Sequence, residues 1–447
     1  MRDHYAITSE SIKEPPSAFA DKLKFLGPGF ILSASIVGSG ELIATTTLGA
    51  KAGFTALWII ILSCLAKVAV QLEFGKHTIT SGETAMQAFN KLPGIRMGRG
   101  NWTVWLVFAL ILLKIVQLGG MIGSAGIVVH MLVPTVSVPV AVLMMALLLS
   151  VLIYKGYYSL VEKSSLIMTL LFTLMTLAAV GFLSFTKYAI TWTEIASGFT
   201  FELSASIVGV AIGAFGITGV ASDEIIAYNY WCLEKGYAAY AGPKDDSEAW
   251  RRRATGWINV MYLDAGVAML IYTTVTAAFY LLGAAILNNQ GLVPEGNDLI
   301  ETVATIYTTS LGPGIRSVYL VGAFFVLFSS LFASLAAWSR MYADIFGQLG
   351  WINFYDARQR RRVIAVLAWT CPAIWAIVYL LMSLPVVMIL FGGVVGSVLL
   401  LIVVFAAIHF RYKQFQLQKP GWLYNIAFWV SILSICFVGV YGILVIL

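Results

Sequence analysis

Charge is scarce in this chain. Asp, Glu, Lys and Arg make up only 11% of its 447 residues, against 60% hydrophobic ones, and the mean hydropathy of +0.87 lies far from that of a soluble globular protein. That balance excludes a water-soluble enzyme or binding domain and makes the chain a polytopic membrane protein. Cysteine and histidine are equally thin, with 4 of each. Cys64, Cys232, Cys371 and Cys436 fall at no ligand-like spacing and lie in or beside apolar runs, so neither a disulfide framework nor a zinc site is expected. His4, His77, His130 and His409 lie in the tail or near the ends of apolar runs. None is placed as a mid-membrane proton relay, and all read as structural. The polar segments carry no nucleophile–base arrangement, nucleotide loop or cofactor motif, so neither enzyme activity nor a cofactor is expected. The first residues lack the apolar core of a signal peptide, and 1–24 reads as a cytosolic tail.

What is present is a series of long apolar runs. Segments of about 20 residues long enough to cross a bilayer fall near 26–48, 54–75, 102–131, 137–154, 164–186, 205–230, 257–286, 317–346, 363–382, 385–410 and 423–446, numbered here as spans 1 to 11. Basic residues gather in alternate connections, among them Lys22, Lys76, Arg96, Lys155, Lys163, Lys235, Arg251, Arg360, Arg411, Lys413 and Lys419. The opposite side holds Lys51, Lys187 and Arg316. The asymmetry predicts a cell-membrane protein with a cytosolic N-terminus and an external C-terminus. The net charge of +6 therefore serves orientation, not nucleic-acid binding. The run 243–253, mixing Asp245, Asp246 and Glu248 with three arginines, is placed to touch anionic lipid headgroups.

One seven-residue stretch occurs twice. Gly38-Ser39-Gly40-Glu41-Leu42-Ile43-Ala44 in span 1 is matched by Ala221-Ser222-Asp223-Glu224-Ile225-Ile226-Ala227 in span 6, and each begins fifteen positions before a glycine, Gly53 or Gly236. An acid near the middle of a span costs about 2.5–3.5 kcal/mol to insert, so its repetition needs a reason. An odd number of crossings separates spans 1 and 6, which makes the two halves inverted repeats, 25–186 and 204–412, with span 11 (422–447) peripheral. Inverted five-helix repeats with broken first helices are a common transporter layout. The expected fold is thus an all-α integral membrane protein with broken spans 1 and 6. Gly38 and Gly40 suit an unwound segment, while Gly213, Gly216 and Gly219 loosen span 6.

Glu41, Glu224 and Asp223, with freed carbonyls of Gly38 and Ala221, would supply an oxygen shell suited to a hard divalent cation. The competing reading makes the same acids caps that complement the dipole of each half-helix. Lys67 and Lys114, with Gln117 one turn beyond Lys114, lie too deep to snorkel. Three roles are open to them: an ion pair with Glu41 or Glu224, a fixed charge in place of a coupling ion, or a structural bond to carbonyls. Ser329, Ser330 and Ser334 in span 8 offer hydroxyl oxygens or bond back to their own helix. Asp264 and Glu73 read as solvated end charges, Gly392, Gly393 and Gly396 as close packing in span 10. The outer stretch 290–313, with Glu295, Asp298 and Glu301 and no base, either draws in cations or is an ordinary loop.

The run Leu26-Gly27-Pro28-Gly29-Phe30, continuing through Gly38-Ser39-Gly40-Glu41 to Gly53-Phe54 and Leu57-Trp58, resembles the first two helices of the natural-resistance-associated macrophage protein (Nramp) family of metal transporters. The similarity extends over spans 1 to 10 and includes Ser329-Ser330 and Ala343-Asp344. The resemblance implies the inverted-repeat fold of leucine-type transporters. It also implies a metal site in which the family has Asp-Pro-Gly-Asn in the first broken helix and Met-Pro-His in the sixth. Here those positions read Gly38-Ser39-Gly40-Glu41 and Ala221-Ser222-Asp223, so the family's aspartate, asparagine, methionine and histidine are all replaced. Loss of the thioether removes the preference for softer metals, and remote family members that lack it carry magnesium.

The reading is a secondary transporter of divalent cations, Mg2+ or Ca2+ before Mn2+ or Fe2+, working by alternating access. Its alternatives are a carrier of an organic amine or amino acid, using the ring faces of Tyr228, Tyr230 and Trp231, and a receptor-like homologue that no longer transports. Partners are the cation and the bilayer. Oligomeric state is not legible.

Overall fold

The computed structural model describes residues 5–154, 158–245, 247–413, 417 and 421–446. His4, Lys155, Asp246 and Lys419 lie outside the described residues, as do the side chains of Lys163 and Lys413. Apart from a short antiparallel pairing of Arg96–Met97 with Gly100–Asn101, the regular structure described is helical. Among the described residues eight helices are long and apolar enough to cross a membrane, and the bent pair Pro28–Ile36 with Gly40–Ala52 makes a ninth span. The shorter apolar helices Val138–Tyr154 and Thr169–Phe185 fall at spans 4 and 5 and complete the expected set. Spans 2 and 7 run longer than expected, Leu57–Ser81 and Glu248–Asn288.

Spans 1 and 6 are broken at the duplicated stretch. Span 1 starts at Pro28, a residue suited to a first helical turn because it has no N–H to satisfy. Its free amides are capped by Asp264 of span 7, whose carboxylate accepts from Gly27 N (2.8 Å) and Gly29 N (2.6 Å). Asp264 is therefore a buried cap, not the solvated charge expected. The first half ends at Ile36, and after the break the chain continues as a wide π-type turn, Gly40–Thr45, and an α-helix to Ala52, bent by 41° from the first half. Span 6 breaks between Val208–Ile217 and Ser222–Lys235. The fifteen-position spacing now has its cause: Gly53 (φ +60°) and Gly236 (φ +98°) end the two half-helices in conformations that disfavour a side chain.

Gly38 and Gly40 are demanded by space, not by backbone angle. A Cβ on Gly38 would lie 1.9 Å from Ser330 Oγ, and one on Gly40 would lie 3.0 Å from Ile217 O, while the break glycine with positive φ is Gly219 at +60°. The span 10 glycines do pack closely. A Cβ on Gly216 would sit 1.7 Å from Gly393 O, and one on Gly393 2.0 Å from Gly213 O, so the backbones of spans 6 and 10 touch.

Packing corrects the expectation for Glu73 and adds partners to the outer acids. Glu73 is buried, with its carboxylate accepting from Arg411 Nη1 (2.6 Å), Lys76 Nζ (2.6 Å) and Tyr424 OH (2.8 Å), which ties span 2 to spans 10 and 11. On the outer side Glu301 binds Arg316 (2.6 Å) and Glu295 lies 3.5 Å from Lys51, so bases from outside the stretch already balance two of its acids.

Candidate cation site

The duplicated glutamates perform the same local act. Glu41 Oε2 accepts from Gly38 N (3.4 Å) and Glu224 Oε2 accepts from Ala221 N (2.8 Å), each reaching three residues back to cap its half-helix from one side. Their second oxygens differ in partner. Glu41 Oε1 accepts from the Thr276 hydroxyl of span 7 (3.1 Å), and Glu224 Oε1 from the Ser35 hydroxyl of span 1 (2.8 Å). Glu41 is fully buried, whereas Glu224 is half-buried. The two carboxylates are close enough to interact electrostatically.

Gly38 and Ala221 do not offer freed carbonyls. Gly38 O accepts from Leu42 N and Ala221 O from Ile225 N, both at 2.9 Å, so each starts the next half-helix. The carbonyls taken up by side chains lie on the other side of each break. Ser35 O accepts from Ser330 Oγ at 2.9 Å, and Phe215 O and Thr218 O accept from Lys67 and Ser63.

The lysines pair differently from the first expectation. Lys114 forms its ion pair with Asp223, not with either glutamate, and the other Asp223 oxygen accepts from Trp338 Nε1 at 2.9 Å. Lys67 donates to backbone carbonyls, 2.7 Å for Thr218 O. Ser329 bonds back to Val326 O (2.9 Å) and touches Thr169 (3.4 Å), which removes it from the break and leaves Ser330 there. Gln117 Oε1 and Ser222 Oγ are buried without a hydrogen-bond partner among the described residues.

Between the first half of span 1, the second half of span 6 and span 8 lies a cleft of about 10 Å3 whose polar lining is Ser35, Asp223, Glu224 and Ser334. That is roughly the space for one water. Glu41 is not among the lining residues, and among the described residues no three His, Cys, Asp or Glu side chains gather as a ready-made metal cage. The three acids thus do not form the single shell expected; Asp223 and Glu224 share the cleft, and Glu41 stands behind it. The cleft lining carries no sulfur. Tyr228 OH and Tyr230 OH are committed to Asp264 (3.3 Å) and Asp344 (2.8 Å), and the Trp231 ring is covered by Arg340 at 5.0 Å. Arg340 thus already takes one face of the Trp231 ring, while the tyrosine bonds fix the two phenol rings in place.

Sequence reasoning missed Ser35, Thr276 and Trp338. Ser35, one turn before Gly38, could have been read as a polar neighbour of the break. Thr276 and Trp338 carry no local signal and are brought in by packing of spans 7 and 8.

The natural resistance-associated macrophage protein-like family model matches residues 29–445. The chain belongs to the Nramp family. Its likeness to an uncharacterized protein of Pasteurella multocida, PM0681, is 24% identity over 75% of this chain and 73% of that one. A shorter match, 29% identical over 19% of each chain, is to the divalent metal cation transporter MntH of Clostridium acetobutylicum. The solved manganese transporter of Eremococcus coleocola, in a point-mutant form, superposes with a TM-score of 0.64 at 14% identity, covering 98% of this chain and 90% of that chain. This Nramp chain therefore has the five-plus-five inverted-repeat fold expected from its sequence.

Proposed function

We propose that this Nramp protein is a secondary transporter of divalent metal cations that binds them at the cleft between broken spans 1 and 6. The observation that carries the reading is the pair of carboxylates, Asp223 and Glu224, opening on the cleft at the start of a half-helix, where a cap alone would not need two acids. Family membership and likeness to a divalent metal cation transporter and a manganese transporter support the same class. Glu41 and Glu224 interact electrostatically with each other and with Lys67, and Glu224 also with Asp223 and Lys114, so charge arriving at the cleft is felt at both breaks.

Glu224 is the entry ligand in this account. Its bonds to Ser35 and Ala221 link the two broken spans, and a cation arriving between spans 1 and 8 would replace them. Ser35 and Ser334 supply hydroxyl oxygens, Glu41 favours the bound cation from behind, and Lys114 holds Asp223 in place. With carboxylate and hydroxyl donors and no sulfur in the lining, the site offers manganese and iron no thioether to favour them over magnesium and calcium, which oxygen ligands alone can hold. The protein would span a cell membrane with its N-terminus cytosolic, so the cleft would open toward the cytosol.

Uptake of Mg2+, Ca2+ and Mn2+ into proteoliposomes tests the proposal, alongside a panel of amines and amino acids. Glu224→Gln can keep its one amide oxygen toward Ala221 N and turn its NH2 to the Ser35 hydroxyl, which then accepts instead of donating, so it should fold with a loss of about 1 kcal/mol. Its saturable divalent uptake should nevertheless fall by roughly tenfold or more. Unchanged uptake would reduce Glu224 to a cap, and transport of an organic solute with no divalent flux would overturn the substrate class.

A further inference from the structure

The first half of span 6, Val208–Ile217, ends in the membrane with its carbonyls unsatisfied by its own helix. Phe215 O and Thr218 O point at one place. A half-helix C-terminus carries partial negative charge, and such ends with unwound carbonyls are favourable positions for a monovalent cation in transporters with broken helices.

That place is filled by the protein itself. Lys67 of span 2 is fully buried, and its ammonium donates to Phe215 O and Thr218 O, the latter at 2.7 Å. The Phe215 ring lies 4.8 Å beneath the same nitrogen. The Ser63 hydroxyl, one turn earlier on span 2, is 3.0 Å from each of the two carbonyls and 2.9 Å from Thr218 Oγ1. Glu41 and Glu224 attract the ammonium from beyond bonding distance, and Lys114 repels it. No carboxylate lies within ion-pair distance of Lys67 among the contacts described. Burying a lysine against neutral oxygens is costly. A serine or asparagine on span 2 could satisfy carbonyls at lower cost.

We propose that the pocket formed by Phe215 O, Thr218 O, Ser63 Oγ and the Phe215 ring is a monovalent-cation site permanently occupied by the tethered Lys67 ammonium. Lys67 bonds span 2 to the break of span 6 and supplies the positive charge that a free ion would otherwise bring. The protein then needs no sodium, potassium or ammonium for stability or for turnover. Truncating Lys67 should open the pocket to a free ion of similar charge and size. The site is distinct from the divalent cleft, and the test does not require that the divalent reading be right.

Thermal unfolding of the purified protein reads the site directly. The full chain in detergent is melted in sodium, potassium, ammonium, methylammonium and choline chlorides at equal concentration, for wild type, Lys67→Ala, Lys67→Ser and Lys67→Met. Wild type should melt at the same temperature in all five salts. Lys67→Ala and Lys67→Ser should gain a saturable rise of roughly 5 °C in at least one of the smaller cations over choline. Lys67→Met, whose side chain fills the opened space, should show none. Recovery of folded Lys67→Ala only when such a cation is kept throughout purification also supports the assignment. A saturable, ion-specific stabilisation of wild type overturns it. So does a folded Lys67→Ala or Lys67→Ser that responds to no cation, or failure of both to fold in every cation.

Discussion

Removing the Lys114 ammonium should destabilise the protein more than most single substitutions. Lys114 is fully buried, its partner Asp223 has a side chain only 11% exposed, and the remaining Asp223 bond comes from Trp338 at 2.9 Å. Lys114→Met fills a similar volume but leaves a carboxylate buried with one hydrogen bond. Breaking such a pair from one side costs about 3–5 kcal/mol. Lys114→Met/Asp223→Asn removes both charges and keeps an oxygen for Trp338, so the coupling between the two sites should be about 2–3 kcal/mol. Reversible unfolding in mixed micelles, followed by tryptophan fluorescence, gives the four free energies of the cycle. A single-variant loss below about 1 kcal/mol, or additive losses in the double variant, would refute the claim that the pair is buried and mutually dependent.

Other perturbations follow from particular contacts. Gly38→Ala should cost about 1–3 kcal/mol through overpacking against Ser330, and Ser330→Ala in the same chain should recover part of it in a melting assay. Arg411→Met should cost about 1.5–3 kcal/mol, since Glu73 loses its buried charged partner but keeps Lys76 and Tyr424, with span 11 becoming more accessible to protease because Tyr424 shares that carboxylate. Beyond the end of span 2, burial pushes Glu83 up, but its bonds with His77 and Lys91 outweigh this and hold it below the ordinary carboxylate range. A depressed folded value means that the Glu83 contribution is present above the unfolded-state value and is lost as pH falls through the folded one. The melting temperature of wild type should therefore drop below about pH 4.5 more steeply than that of Glu83→Gln. Parallel profiles would contradict this.

Periodicity and insertion cost carry a reader far along this chain. Apolar length places the spans, and the repeated Ser-x-Glu-x-Ile-Ala pattern with its later glycine places both breaks, because those residues do the same work twice: Glu41 and Glu224 cap, Gly53 and Gly236 terminate. What local pattern cannot encode is which distant group meets a buried charge. Asp264 reads as an end charge because its acceptor role depends on Gly27 and Gly29 of another span, and Glu73 because Arg411 lies far along the chain. The same limit hides the division between Lys114, which meets an acid, and Lys67, which meets carbonyls. It also hides Thr276 and Trp338. The carbonyls of Gly38 and Ala221 are free only if each break is long; the helices resume at once and use them.

The most direct measurement is to locate a bound metal. Anomalous scattering from crystals of the protein soaked in Mn2+, a heavier stand-in for the preferred cation, should give a peak within about 2.5 Å of a Glu224 carboxylate oxygen. Competition by Mg2+ or Ca2+ should remove it. A peak displaced from the break between spans 1 and 6, or one that survives unchanged in Glu224→Gln, would contradict the account.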